Sequence, residues 1–137
     1  ILATLKDRAV QPKVVVVMIG TNNSNGDDHT AEQIADGIRA IVNKLRTGLP
    51  RTKILLLGIF PRGEAPNPQR EKNAKASEIA SQLADGKHVH YLDIGQKFLG
   101  PNGALPKDVM PDFLHLSPKG YAIWAEGIEE KLAEMMK

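Results

Sequence analysis

Asp112 and His115 lie three residues apart in the segment 110–121, immediately before a strong helix start. That spacing lets a carboxylate meet an imidazole nitrogen within one turn of backbone. A buried carboxylate in that place fixes the His tautomer and stabilises the imidazolium, as a general base in acyl transfer requires. A second candidate set, Gly20-Thr21-Asn22-Asn23, follows a run of four valines, Met18 and Ile19. Gly20 lets the backbone turn sharply as it leaves a strand. Asn22 offers uncharged N–H donors, and one such donor aimed at a developing oxyanion lowers a barrier by ~3 kcal/mol. The same four residues also suit a plain polar turn. Between the acid and the base, Phe113 and Leu114 are apolar on a polar loop. They either anchor the loop into the core or, for Leu114, line an acyl pocket. A nucleophile is not evident: Ser24 sits in a loop, Ser77 and Ser81 on a helix, and Ser117 at a helix N-cap.

These residues need elements to hold them, and the pattern reads strand, helix, strand, helix, strand, loop, helix. Residues 1–8 suit the end of a helix. Residues 14–19 and 54–60 are apolar runs without polar alternation, as in parallel strands covered on both faces, and residues 88–94 read as a third strand. Thr30 and Gln33 form a capping box ahead of the stripe Ile34, Ile38, Ile41, Val42 and Leu45, closed near Gly48-Leu49-Pro50. Residues 71–84 suit a helix with Ala76, Ile79, Ala80 and Leu83 inward. Ser117 and Pro118 open a last helix lined by Ile123, Trp124, Ala125, Ile128, Leu132 and Met135. Strands alternating with helices imply an α/β fold with a parallel sheet between helical layers. Ligands in such sheets collect at the carboxyl ends of the strands. Asn22 sits at one such end, and the Asp112–His115 loop can reach the same rim.

Composition narrows the field. The chain has 137 residues, enough for one domain, and 42% hydrophobic and 25% charged residues, as in ordinary globular proteins. No apolar run approaches the ~18 residues of a membrane span. Acidic and basic residues are interspersed, the net charge is only +2 and aromatics are 4%, which argues against a nucleic-acid partner. With no cysteine, disulfides, thiolate catalysis and Cys-ligated zinc are excluded. Asp27, Asp28 and His29 read as charge at a helix N-terminus rather than a metal site. His88 and His90 share a strand face, where a hydrogen-bonded or solvated pair fits better than a zinc pair. Arg62 and Glu64 either shape the mouth of a site or form a solvated pair.

Taken together, Gly20-Thr-Asn-Asn23 after the valine run and Asp112-Phe-Leu-His115 near the end resemble two sequence blocks of the SGNH (GDSL) hydrolases. Residues 57–64, 67–75 and 114–121 are similar to the subgroup of the catalytic subunits of platelet-activating-factor acetylhydrolase, and the resemblance runs over essentially the whole chain. It implies a three-layer α/β/α, flavodoxin-like fold and hydrolysis of short-chain, chiefly acetyl, carboxylic esters without metal or cofactor. It also implies Asn22 as oxyanion donor, His115 as base and Asp112 as its partner, with Gly20 shaping the Asn22 block. Homodimers are implied as well. Carbohydrate acetyl esters and lysophospholipids are alternative substrates on the same fold, and a non-catalytic partner-binding α/β module is the alternative from another class.

The family's Gly-Asp-Ser block and its second oxyanion glycine do not occur here. The chain begins with Ile1 and, by family register, starts after both. Residues 1–137 are therefore expected to be the C-terminal part of a hydrolase domain, with the nucleophilic Ser on an N-terminal segment or a second chain. Residues 14–19 would then form an open apolar edge strand, which invites pairing.

Overall fold

The computed structural model describes residues 10–137; the helix end expected over residues 1–8 lies outside them. Three strands, β1 (Val14–Val17), β2 (Lys53–Leu57) and β3 (Val89–Leu92), form one parallel sheet in the order β1-β2-β3. Val15 pairs with Ile54, and Ile54 in turn with Val89. The long helices are α1 (Ala31–Gly48), α2 (Pro68–Ser81) and α3 (Pro118–Met136).

The unbroken apolar runs have a direct cause. Ile54, Leu56 and Val89, with Val15 and Val17, face a core built from α1 and α2. Leu55 and Leu57, with Val14, Val16 and Leu92, face a second core built from α3 and the loop before it. Both faces of each strand meet apolar partners, so period-two alternation disappears from the sequence. The result is the expected three-layer α/β arrangement. β1 departs from full cover: its four valines are half-buried, because among the described residues it pairs only with β2. Ile19, just beyond it, is 42% exposed.

Capping defines the helices. Thr30 Oγ1 accepts the Gln33 N–H at 3.1 Å and Gln33 Oε1 accepts the Thr30 N–H at 2.9 Å, the expected box. α2 begins three residues earlier than periodicity suggests, because Asn67 Oδ1 accepts the Arg70 N–H at 3.0 Å and Pro68 pre-sets the first turn. It also ends earlier: Gln82, Leu83 and Ala84 donate to Ile79, Ala80 and Ser81, closing tight turns instead of helix. Ile79 and Leu83 are only half-buried, while Asn73 and Ser77 join Ala76 and Ala80 in the interior. On α3, Ala125 faces outward on the same row as Tyr121 and Glu129, contrary to expectation. The second strand run stops at Leu57, after which Ile59 and Phe60 turn into opposite cores.

β3 is launched by Asp85, whose Oδ1 accepts the N–H groups of Lys87, His88 and Val89 at 2.8–2.9 Å. The Val89 and Lys87 amides hold its carboxyl down to about 2. A depressed carboxylate contributes stability above its unfolded pKa and loses that contribution as pH falls through the folded value. In the completed domain, Asp85→Ala is thus expected to lower the urea midpoint at pH 7, with the gap from the parent closing between pH 4 and pH 2. A gap constant across that range would show that the carboxylate charge is not involved.

Candidate active site

The loop carrying the acid and base is pinned from below by the buried Val109 and Met110. Ser117 N–H donates to Val109 O and Phe113 N–H to Met110 O, each at 2.9 Å. Phe113 adopts a left-handed backbone, φ 59°, which costs a residue with a Cβ roughly 1–2 kcal/mol. Its ring packs into the α3-side core. The kink wraps the following amides around Asp112: Oδ1 accepts from the N–H of Leu114 at 3.0 Å and of His115 at 2.7 Å. The other oxygen, Oδ2, stands 2.6 Å from His115 Nδ1. The His115 side chain first, and then the His115 and Leu114 amides, hold the Asp112 carboxyl well below the usual carboxylate range. With Oδ2 accepting from Nδ1–H, the lone pair of the neutral ring lies on Nε2. The carboxylate expected to be buried is open here: the side chains of Asp112 and His115 are 54% and 78% exposed. Among the described residues nothing covers this side of the loop.

Asn22 lies on a short 3-10 turn, Thr21–Ser24, at the carboxyl end of β1. Gly20 enters that turn with φ 121°, and a Cβ there would come within 2.9 Å of Ile59 Cδ1, so only glycine fits without a shift. The turn closes by Asn23 N–H to Gly20 O at 3.1 Å. It is then clamped from outside. Arg62 Nη1 donates to Thr21 O at 3.1 Å, Gln69 Nε2 to Ser24 Oγ at 3.0 Å, and Lys72 Nζ to Gly26 O at 2.7 Å.

Asn22, Leu114 and His115 open onto one concavity of about 210 Å³, together with Met18, Arg62 and Trp124. Phe60 forms part of its wall, with Trp124 edge-on at a centroid distance of 4.9 Å. Asp112 stands behind His115, as an orienting group does. Gly20 does not line this concavity; it lines a groove of about 340 Å³ between β1 and α1, with Ile19, Ile34 and Ile41. Trp124, expected in the core, is half-buried and spans core and concavity. Of the pair Arg62 and Glu64, weighed in sequence as shaping the mouth of a site or forming a solvated pair, Arg62 lines the concavity; no local signal marks its reach of 41 residues back to Thr21.

The four serine hydroxyls are engaged elsewhere. Ser24 Oγ donates to Thr21 O at 2.6 Å, and Ser77 Oγ accepts the Ile59 N–H at 2.9 Å. Ser81 Oγ donates to Glu78 O. Ser117 Oγ caps α3 and donates to Asp108 O. None lines the concavity. Among the described residues no three His, Asp or Glu side chains cluster as a metal site would need, and no helix is long and apolar enough to cross a membrane.

Comparison with known proteins gives concordant results. The GDSL-like lipase/acylhydrolase family model matches residues 2–123. The platelet-activating factor acetylhydrolase IB subunit alpha2 of Rattus norvegicus is 42% identical over 129 residues, covering 93% of this chain and 55% of that protein. The chain thus spans about half the length of the curated relatives it matches. Among solved structures, a carbohydrate esterase family 3 protein from Talaromyces cellulolyticus superposes with a TM-score of 0.75 at 22% identity, over 98% of this chain and 63% of that one. The aryl esterase of M. smegmatis does so with a TM-score of 0.73 at 19% identity, over 98% and 66%. At these identities the two structures speak for the fold.

Proposed function

Because the chain belongs to the GDSL-like lipase/acylhydrolase family, we propose that it supplies the base, the orienting acid and one oxyanion donor of a serine ester hydrolase. The observation that carries this reading is the 2.6 Å pair of His115 Nδ1 and Asp112 Oδ2, set beside a concavity that His115 shares with Asn22. The nucleophile is a Ser outside residues 1–137, on an N-terminal segment or a second chain that completes the domain alongside β1.

The chemistry follows from the atoms. The Ser Oγ attacks the ester carbonyl carbon as His115 Nε2 takes its proton. Asp112 keeps Nδ1–H in place and balances the imidazolium charge. The carbonyl oxygen becomes an oxyanion and accepts from the Asn22 side-chain N–H and from backbone donors of the completing segment. Collapse breaks the bond to the alcohol oxygen, which leaves with the proton from His115. Water then attacks the acyl-enzyme, His115 takes the water's proton, and the carboxylic acid departs from the restored Ser. Leu114 lies against the acyl group. A short acyl chain is in keeping with the acetylhydrolase subunits among the relatives.

A serine-directed phosphonate tests the assignment of the nucleophile. It is expected to label the completed enzyme on the added segment and to leave residues 1–137 unlabelled. Labelling of Ser24, Ser77, Ser81 or Ser117 would overturn it.

A further inference from the structure

Asn22 and His115 come from loops 93 residues apart in sequence, and a single dipeptide joins them. Arg62 reaches the first loop with its side chain, Nη1 to Thr21 O at 3.1 Å. Gly63 reaches the second with its backbone, N–H to Phe113 O at 2.9 Å. Gly63 has φ +83°, and a Cβ on it would stand 2.5 Å from Asn67 Nδ2, so the dipeptide is held closely.

What holds it is the guanidinium of Arg70. Nε donates to Arg62 O at 3.0 Å, Nη2 to Gly63 O at 2.7 Å and Nη1 to Gly103 O at 2.5 Å. Asn67 Nδ2 adds a second bond to Arg62 O at 3.0 Å. Burial pushes the Arg70 guanidinium down from its ordinary pKa, and its partners are carbonyl oxygens rather than a carboxylate. Placing a part-buried charge against neutral acceptors alone carries some desolvation cost with no ion pair to offset it. The planar fork explains the choice: it meets three carbonyls in fixed directions, which an ammonium on a flexible stem does not.

We infer that Arg70 is a positioning residue that sets the Asn22 turn and the His115 loop relative to each other through the Arg62–Gly63 dipeptide. Its catalytic consequence rests on the esterase reading above; the mechanical coupling does not. If the transition state needs donor and base in one fixed geometry, loosening the brace lowers kcat and leaves KM nearly unchanged.

Two measurements on Arg70→Lys test this. In the completed enzyme, hydrogen exchange is expected to speed about tenfold or more at the amides of Asn23, Gly63 and His115 together, with Val42 and Leu45 of α1 unchanged. In the completed enzyme, kcat for a short-chain ester is expected to fall about 10- to 100-fold with KM within about twofold. Unchanged exchange at the three amides would overturn the coupling. So would an equal rise in α1, which marks a purely structural role. Parent-like kcat alongside an inactive His115→Ala enzyme would overturn the positioning role alone. An active His115→Ala enzyme would instead remove the esterase reading, and exchange would still decide the coupling.

Discussion

Replacing His115 by alanine in the completed enzyme is expected to cut ester turnover on the order of 10⁴-fold, with little change in substrate affinity. The size follows from what the ring does. Without it no other group among the described residues stands ready to take the serine proton or return one to the leaving alcohol, and removal of a triad base in other serine hydrolases costs at least this much. Four decades correspond to about 5.4 kcal/mol of transition-state stabilisation. The fold is not expected to suffer. The His115 side chain is 78% exposed, and among the described residues its one side-chain hydrogen bond is to Asp112. Stability and activity therefore separate cleanly at this residue. Single-turnover kinetics with a chromogenic acetyl ester provide the check, and turnover within tenfold of the parent would remove His115 from the site.

Residues 1–137 on their own are expected to associate or to unfold without a sharp transition. The cause is the outer edge of β1. Four consecutive valines leave a row of backbone donors and acceptors unpaired on that side among the described residues. Exposed apolar edges of this kind pair with whatever strand is at hand. Beside the edge lies the groove of about 340 Å³ lined by Ile19, Ile34 and Ile41, an apolar surface that a neighbouring element would cover. Among the described residues, β1 itself has no lysine, proline or bulge to protect its edge, although Pro12 and Lys13 precede it. Sedimentation of the purified chain, followed by urea unfolding, decides the matter. A compact monomer with one cooperative transition would contradict the expectation. Adding the strand-bearing, serine-bearing segment is expected to yield a defined complex and to switch on ester hydrolysis, whereas a complex without activity would count against the proposed function.

The parts of this structure legible in sequence were those governed by local rules. Apolar runs located the first two strands, and the Val, Tyr, Leu and Ile of residues 88–94 the third. The Thr30–Gln33 box and the Ser117–Pro118 pair fixed two helix starts to the residue, because capping is a short-range hydrogen-bonding pattern. The spacing of Asp112 and His115 foretold their contact for the same reason. Asn22 and Leu114 reach the His115 concavity because parallel strands deliver their following loops to one rim. What escaped notice has a common origin in distance along the chain. Ser77 turning inward to meet Ile59 N–H, and Arg62 and Arg70 reaching carbonyls 7 to 41 residues away, all depend on tertiary placement. The Asn67 cap is the exception: it is a local signal, Asn before Pro68, that lies ahead of the apolar periodicity. Gly20 stood next to Asn22 in sequence, yet the turn it creates sends the two residues to different concavities.

The two oxygens of Asp112 serve different clients. Oδ1 shapes the loop and Oδ2 orients the base, so both functions hang on one negative charge. Its pKa is depressed, so that charge persists through mild acid and is lost only as pH falls well below the ordinary carboxylate range. One protonation therefore weakens the loop and the orientation of the base together, while the bonds of Phe113 and Ser117 to Met110 and Val109 do not depend on that charge.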